Sequence, residues 1–432
     1  MVFQKSALTL SLIIAASSAQ AAPSNEEIWA LLQQVQQQLT EVQQKNEQLT
    51  TENQNLKIKV EKTEQTALDA NETVEALVEA TEDAVKTASM AANKTTIGGY
   101  GELHYNNLEG QQDFLDDGDL IDKGESDKDE IDFHRFVLFF GHEFNDNLRF
   151  FSELELEHSI AGDGKSGEIE LEQAYIEYDI NDQHRVKGGL FLTPVGIINE
   201  THEPNTFYGT ERNPVEKNIV PATWWAAGTM FSGEIANGFS YDVAVTSGLD
   251  VSKKGSKTSY KIRDGRQKVS KALADDFAYT GRLKWTAIPG VEIAATVQYQ
   301  EDMTQSQDST AGSGTLFETH AVIQQGNFGL RALYATWDLD GDGPKAKGYD
   351  EQTGWYIEPS YRINENFGLF ARYNEWDNQA GDSADSEYEQ FDLGVNWWPH
   401  KDVVVKLDYQ DQDAPKGKAE LDGVNVGLGY QF

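Results

Sequence analysis

The chain has 432 residues, a formal net charge of −37 and no cysteine. Nucleic acid is a poor partner for such an acidic chain, because its phosphate backbone is recognised by basic surfaces. The absence of cysteine excludes both a disulfide framework and thiol chemistry. Disorder is equally disfavoured, because 11% of the residues are aromatic and 37 are glycine.

The first 21 residues have the layout of a secretory signal peptide. Lys5 supplies a positive region, residues 7–16 form an apolar stretch, and Ala19 to Ala21 form a small-x-small cleavage signal. A membrane anchor is the alternative, although the stretch is short for a span and Pro23 follows it. We therefore expect export and exclude residues 1–21 from the fold.

Residues 22–94 are predicted to form a long coiled coil in the periplasm. Apolar and small residues recur there with alternating steps of four and three over about nine heptads. One series runs through Ile28, Val35, Val42, Leu49, Leu56, Thr63, Ala70, Leu77, Ala84 and Ala91. The other runs through Leu32, Leu39, Asn46, Asn53, Val60, Ala67, Val74, Thr81 and Ala88. A single helix cannot bury such a stripe, so copies must associate, and the heptads alone leave two or three strands open.

From Ile97 onward, apolar and polar residues alternate with a period of two until the chain ends. The last residues, GVNVGLGYQF, place Val424, Leu428 and Phe432 on one face of a strand. About sixteen such segments are joined alternately by short turns and long polar connections, which is the pattern of outer-membrane barrels. A soluble β-sandwich also alternates, but it has no reason to segregate its loop lengths. We therefore predict an all-β membrane protein, a 16-stranded antiparallel transmembrane β-barrel over residues 95–432, preceded by the α-helical coiled coil.

A barrel of this size encloses a water-filled lumen, and its inward-facing side chains determine what passes. The predicted pore-lining residues are Arg149, Glu153, Glu155, Glu157, Arg282, Lys284, Arg331, Arg372 and Lys406. Simple solvation of these charges is the alternative. The long connection over residues 193–223 is rich in Pro and Asn and is predicted to fold into the lumen as a constriction. Its charged members are Glu203, Glu211 and Arg212, which could instead brace the loop internally.

Two further loops carry charge patterns of their own. The basic residues of 253–271 would attract anions if they fold over the pore mouth, or meet lipopolysaccharide phosphates if they point outward. Asp338, Asp340 and Asp342 begin a calcium-loop pattern, but Tyr349 stands where that pattern requires glutamate. We expect at most a weak surface site for Ca²⁺ or Mg²⁺, with a plain acidic turn as the alternative. No cofactor is expected, and no enzyme motif is present among the eight scattered histidines.

Three stretches connect the sequence with a known family: IGGYGELHY, AYIEYDI followed by VKGGLFLTPVG, and TERNPVEKNIVPATWWAAG. From Ile97 to Phe432 the chain resembles the phosphate-selective porins O and P of Gram-negative outer membranes. The resemblance implies a homotrimer with the third extracellular loop folded inward, and a carboxy-terminal strand read by the barrel-assembly machinery. Selective members of the family line the pore with arginine ladders and lysine clusters, whereas the predicted pore wall of this chain carries both acidic and basic residues.

The sequence therefore predicts a porin that passes small hydrophilic solutes and ions passively, with anions such as phosphate as candidates. The rival interpretation is a structural tether that links the outer membrane to peptidoglycan through the coiled coil. A barrel lipase is the third alternative.

Overall fold

The structure is a computed structural model that describes residues 25–91, 94–112, 115–116, 119–120, 127–159, 167–255 and 257–432. The predicted signal peptide, residues 1–21, lies outside these ranges. The chain divides into two compact units, residues 1–92 and 93–432, and each is described by itself.

The first unit contains one helix, α1, which runs from Asn25 to Ala91. The helix has neither glycine nor proline and is rich in Gln, Glu, Lys and Leu, all of which favour helix. Apolar residues of the predicted heptad stripe, such as Leu49 at 48% and Leu56 at 58%, are exposed in the single chain. The predicted helix is confirmed, and its assembly into a coiled coil stays a prediction. Among the described residues, no helix is long and apolar enough to cross a membrane.

The second unit is a closed antiparallel barrel of sixteen strands in the described part of the chain. Its strands are β1 (Thr95–Gln112), β4 (Lys128–Asn145), β5 (Leu148–Glu157), β6 (Ile169–Asn181), β7 (His184–Leu192), β8 (Trp225–Ala236), β9 (Phe239–Thr246), β10 (Ala278–Trp285), β11 (Val291–Gln300), β12 (Gly314–Gln325), β13 (Phe328–Leu339), β14 (Glu351–Arg362), β15 (Phe367–Asp377), β16 (Glu387–His400), β17 (Val403–Asp413) and β18 (Ala419–Gln431). Two short strands, β2 (Leu115–Asp116) and β3 (Asp119–Leu120), pair with each other between β1 and β4. The predicted 16-stranded barrel is confirmed.

The barrel closes where β1 pairs with β18. Gly99 and Phe432 exchange backbone hydrogen bonds of 3.0 and 2.9 Å at this seam. The ring of Phe432 is 62% exposed, like other apolar side chains of the outer face, which include Ile97, Val243 and Leu393. An outward band of this kind is what a lipid-facing barrel requires. The aromatic carboxy terminus therefore contributes to barrel closure.

Connections of two to five residues join the strands at one end of the barrel, and connections of five to 32 residues join them at the other. Two long connections carry short helical turns: α2 (Val215–Asn218) between β7 and β8, and a 3₁₀ turn (Ile262–Gly265) between β9 and β10. A third turn, α3 (Asp342–Lys345), lies between β13 and β14. The segregation of loop lengths agrees with the barrel pattern in the sequence.

Part of the lumen is filled by an apolar core. It is built from the two long connections after β7 and β9 and from the inward faces of β12 to β15. Its members include Val195, Val215, Ile219, Trp224, Leu249, Ile262, Leu333, Trp337, Tyr356 and Trp376. The expectation of a water-filled lumen is therefore wrong for this part of the barrel. The reason is local, because the inward face of β13 is apolar from Leu333 to Leu339, so inward residues such as Trp337 pack against a loop.

Candidate functional site

The connection between β7 and β8, residues 193–224, is here called the inner loop. Asn199 closes its base: the Nδ2 group donates to the carbonyls of Thr193 (2.7 Å) and Trp224 (3.1 Å). The Trp224 amide donates back to Asn199 Oδ1 at 2.6 Å. One buried asparagine thus joins both ends of a 32-residue loop, which removes much of its freedom.

Glu216 anchors the middle of the inner loop, although its side chain is almost fully buried. Its Oε1 accepts hydrogen bonds from the amides of Ile197 (2.6 Å) and Ile198 (2.7 Å). Its Oε2 accepts one from the Tyr356 hydroxyl of β14 at 2.9 Å. Charge-assisted bonds of this kind are about twice as strong as neutral ones. Glu216 is not among the residues predicted from the sequence, although an asparagine three residues before it (Asn213) has the spacing of a capping box.

Two of the three predicted constriction residues make side-chain contacts within the lumen. Glu211 lies 3.2 Å from His104 Nδ1 and accepts a bond from Asn106 at 3.1 Å. Burial would raise the pKa of Glu211, but the charge of His104 holds that pKa well below its ordinary value. Arg212 donates to the carbonyl of His202 at 3.3 Å, so it also braces the loop. The third residue, Glu203, closes a turn through its backbone carbonyl.

Arg331 and Lys406, both predicted to line the pore, hold the inner loop against the wall. Arg331 donates to the carbonyl of Thr206 at 2.5 Å. The Lys406 ammonium lies 3.6 Å from the centre of the Phe207 ring, a cation–π contact. Lys406 is also almost fully buried. We therefore expect these two cations to position the loop.

Arg372 and Arg282 act in the same way through carboxylates. Arg372 is buried and reaches Asp392 (3.0 Å) and Glu358 (3.3 Å) on neighbouring strands. Arg282 forms an ion pair with Glu200 of the inner loop. Buried pairs of this type fix geometry, because breaking one leaves an uncompensated charge. The predicted basic residues of the wall are thus largely neutralised by acids or by the loop.

The three predicted glutamates of β5 differ in their surroundings. Glu153 is buried against His202 at 3.2 Å. Glu155 is fully buried, and its closest ion-pair contact among the described residues is Arg135 Nη1 at 3.7 Å. Glu157, by contrast, lines an open cavity. The assignment of all three as pore-lining residues stays a prediction, and Glu157 has the strongest geometric support.

Arg149 and Lys284 lie near the end of the barrel that carries the short turns. Arg149 donates to Glu177 and Asp179, at 2.6 and 2.7 Å. Lys284 lies 3.2 Å from Glu292. Both cations are therefore paired with carboxylates of the same wall.

The basic segment 253–271 folds inward onto the inner loop. Arg263 donates to the carbonyls of Lys217 (2.9 Å) and Ala222 (3.0 Å). Arg266 donates to the carbonyl of Thr223 at 2.5 Å. The sequence left open whether this segment folds over the pore mouth or points outward. In the structure, these two arginines point inward.

A cavity of about 270 Å³ lies between the two loops and the opposite wall. The wall contributes acids, histidines and one arginine, which belong to β1, β4, β5, the residue after β5, and β6. The inner loop and the basic segment contribute most of the cations. The charged and histidine residues that line it are Glu102, His104, His134, Arg135, Glu157, His158, Glu170, Glu211, Arg212, Glu216, Lys217, Arg263, Arg266 and Lys268. We regard this cavity as the candidate constriction of the channel.

The cavity carries an excess of unpaired positive charge. Within the ranges that the structure describes, no carboxylate oxygen lies within 4.0 Å of Arg212, Lys217, Arg263 or Arg266. The acids opposite are mostly paired, as Glu102 is with Arg135 at 2.6 Å. The Lys217 side chain is open to water in the lumen, but the surrounding protein desolvates its ammonium, and this effect together with nearby cations such as Arg263 lowers its pKa.

Three histidines that are far apart in sequence meet at this cavity. The rings of His104 and His134 stack at 4.7 Å, and His158 approaches His134 at 5.5 Å. Asp132 binds His134 at 3.0 Å and His158 at 2.7 Å. The sequence treats the histidines as scattered, because only strand pairing brings β1, β4 and the end of β5 together.

The predicted surface cation residues lie apart from these clusters. Asp338 is exposed near the end of β13, Asp340 accepts a hydrogen bond from Ser313 at 2.6 Å, and Asp342 begins α3. Among the described residues, they do not belong to the groups whose potential ligand atoms approach within 4.8 Å of one another. The weak Ca²⁺ or Mg²⁺ site stays a prediction, and the local hydrogen bonding agrees with an acidic turn.

Comparison with known proteins gives one matching family model, described as "Phosphate-selective porin O and P", over residues 85–432. An uncharacterized protein of Aquifex aeolicus (strain VF5) is 29% identical over 376 residues, covering 78% of this chain and 80% of the relative.

Among solved structures, an anion-selective porin from Comamonas acidovorans matches with a TM-score of 0.54 and 12% identity, covering 78% of this chain and 99% of that chain. The trimer form of in-vitro folded OmpT of Vibrio cholerae matches with a TM-score of 0.50 and 13% identity, covering 79% and 100%. At these identities, the two likenesses show the fold.

Proposed function

The chain belongs to the phosphate-selective porin O and P family and is a passive channel of the outer membrane, and we propose that this channel favours small anions. The observation that carries the proposal is the set of four unpaired cations around the candidate constriction: Arg212, Lys217, Arg263 and Arg266. Charges in a narrow passage with low-dielectric walls act more strongly than the same charges on a surface. The net charge of −37 therefore does not decide the selectivity.

Phosphate is the candidate solute that best fits this passage. Guanidinium groups present several N–H donors in a planar fork that matches the oxygens of phosphate. Arg263 and Arg266 use backbone carbonyls as their acceptors, so no carboxylate neutralises their charge among the described residues. The name of the family supports the same solute class.

A substitution at Lys217 tests the anion preference with little risk to the fold. Lys217 is exposed within the barrel, so Lys217→Gln removes one charge from the cavity and leaves the backbone in place. We expect the ratio of chloride to potassium permeability, measured from the reversal potential in planar bilayers, to fall. Lys253→Gln is the matched control, because Lys253 is exposed and does not line the cavity. An unchanged ratio in Lys217→Gln would contradict the proposal.

We further propose a homotrimer in which three copies of α1 form a periplasmic coiled coil. The exposed stripe through Leu49 and Leu56 supports association, because a single helix leaves it in water. The trimer form of the OmpT structure supports the number three. Native mass spectrometry of the purified full chain should give three copies, and a monomer or dimer would contradict the proposal.

The comparisons favour the channel over the structural tether and the lipase. Contacts with peptidoglycan, lipopolysaccharide and the barrel-assembly machinery stay proposals for the coiled coil, the outer loops and β18. The absence of enzyme activity also stays a prediction, which lipid hydrolysis by the purified protein would contradict.

A further inference from the structure

A second cluster of charged side chains lies between the inner loop and the barrel wall, and its three members are not among the residues that line the open cavity. His202 of the inner loop points at two carboxylates of the wall, Glu153 of β5 and Glu172 of β6. Its Nε2 lies 3.2 Å from Glu153 Oε1 and 3.6 Å from Glu172 Oε2. All three side chains are at most 4% exposed. The cluster therefore joins the loop to the wall in a site closed to bulk water.

A β-bulge directs Glu172 into this site. The pairing of β5 with β6 is interrupted there: Glu153 pairs with Gln173, whereas Leu154 pairs with Leu171. Glu172 is the extra residue, so it and Gln173 both face inward. Bulges are frequent next to functional sites, where they re-aim a side chain. The local irregularity thus has a specific result, the convergence of two glutamates on one histidine.

The hydrogen bonding of His202 leaves its Nε2 atom without a suitable partner when the imidazole is neutral. The other ring nitrogen, Nδ1, lies 3.2 Å from the carbonyl oxygen of Asn199, which can only accept, so Nδ1 carries a hydrogen. In the neutral imidazole, the Nε2 lone pair then faces two negative oxygens. A proton on Nε2 would bond one oxygen well, but Glu172 Oε2 has no hydrogen-bond partner among the described residues. A cation between the three atoms would satisfy them together.

The surroundings are short of positive charge and of hydrogen-bond donors. Glu155 is fully buried, and neither of its carboxylate oxygens has a hydrogen-bond partner among the described residues. The nearby Arg135 is shared with Glu102. Burying a carboxylate without a full set of partners is costly, so buried charges are normally paired or bind metal. The shortage of partners around Glu155 therefore adds to the observation on Glu172, whose Oε2 has no hydrogen-bond partner among the described residues.

The distances fit a tetrahedral metal site. Zinc binds His nitrogen and carboxylate oxygen at about 2.0–2.2 Å, and ligand atoms at tetrahedral angles are then about 3.3–3.6 Å apart. The two measured separations from Nε2, 3.2 and 3.6 Å, lie close to that range. The three ligand atoms all lie within 4.8 Å of one another.

The hydrogen bonds that hold the side chains of His202 and Glu153 are also of the kind found around metal sites. Metal-binding histidines usually donate their second N–H to a carbonyl or carboxylate, as His202 does to Asn199. Ligand carboxylates are usually held by a further hydrogen bond, and Gln173 Nε2 donates to Glu153 Oε2 at 2.7 Å. Both contacts orient the ligand atoms toward one point.

We propose that Glu153, Glu172 and His202 bind one divalent first-row transition-metal ion that fastens the inner loop to the barrel wall. Imidazole together with carboxylates suits zinc and its neighbours better than calcium or magnesium. The ion joins β5, β6 and the inner loop, and its three ligands are not among the residues that line the candidate constriction. The proposal does not depend on the ion selectivity of the channel.

Zinc is the probe that tests the site. The full-length protein is stripped with a chelator, dialysed against zinc and washed, and its metal content is measured by elemental mass spectrometry. We expect one tightly held zinc ion per chain, which is lost in His202→Gln and in Glu172→Gln. X-ray absorption of the wild-type protein should show oxygen and nitrogen ligands at about 2.0–2.1 Å, including one imidazole.

Two other histidines serve as matched controls. His320 is also buried between carboxylates, but its nitrogens point at different partners, Glu318 at 2.6 Å and Glu292 at 3.3 Å. His320→Gln should therefore keep the zinc, and so should His158→Gln at the cavity rim. Loss of the ion in His158→Gln with retention in His202→Gln would overturn the proposal. So would a wild-type protein that holds no zinc, because His202 would then act as an imidazolium.

Discussion

Removal of the Glu216 carboxylate should detach the inner loop without unfolding the barrel. Glu216→Ala leaves the buried amides of Ile197 and Ile198 and the hydroxyl of Tyr356 without their acceptor. Each buried group left unsatisfied costs about 1–3 kcal/mol, so the loop loses roughly 3–9 kcal/mol of attachment. The barrel hydrogen bonds do not involve this side chain, so the wall should persist.

Single-channel recording is the direct assay for this detachment. A loop that leaves its place in the lumen widens the passage, so we expect a larger mean conductance and more current noise in Glu216→Ala. Limited proteolysis should also cut within residues 193–224 in the variant and spare the wild type. Glu203→Ala is the matched control, because Glu203 lies on the same loop and contributes its backbone carbonyl to a turn. Wild-type conductance and protease resistance in Glu216→Ala would refute the reasoning.

Three further outcomes are expected. Because the pKa of Lys217 is lowered from the ordinary 10.5, its positive charge is lost at a lower pH, and the anion preference should fall as the pH rises from 7 toward 10. This fall should be smaller in Lys217→Gln. An equal fall in both proteins would count against the role of Lys217. Deletion of Phe432 removes two backbone hydrogen bonds to Gly99 at the seam, so the yield of folded barrel should decrease. Heat-modifiable gel mobility measures this yield, and an unchanged yield would contradict the role of Phe432 in barrel closure. Leu49→Asp places a charge on the heptad stripe and should reduce the trimer fraction in native mass spectrometry, whereas Glu52→Asp, off the stripe, should not.

The barrel and the helix could be predicted from the sequence because each depends on a short-range period. Alternation over about ten residues identifies a strand whose two faces differ, and it does not depend on which strand pairs with it. The helix from Asn25 to Ala91 follows from a run without glycine or proline. The inward position of the long loop was expected because it combines Pro and Asn with residues that are usually buried, and its role as a constriction stays a prediction.

The roles of the charged residues could not be predicted, because they depend on contacts between distant segments. The sequence places Arg331 on an inward face, but only the fold shows that it donates to the carbonyl of Thr206. The bulge at Glu172 arises from the register of β5 with β6, which no local pattern reveals. The meeting of His104 with His134 likewise requires the pairing of β1 with β4.

The balance of charge in the pore shows the same limit. The predicted pore-lining residues include both acids and bases, so the sequence alone does not indicate which ion passes. In the structure, most wall charges neutralise one another or hold the inner loop. Four cations of the two loops remain without a carboxylate within 4.0 Å among the described residues: Arg212, Lys217, Arg263 and Arg266. Selectivity therefore depends on the few charges that remain unpaired.

The proposed anion preference can be measured as the reversal potential of the purified wild-type protein in a planar bilayer under a potassium chloride gradient, with phosphate then added to compete with the chloride current. We expect a reversal potential on the anion side and a chloride current that decreases when phosphate is added. A reversal potential on the cation side, with no effect of phosphate, would contradict this expectation and would mean that the acidic wall governs the passage.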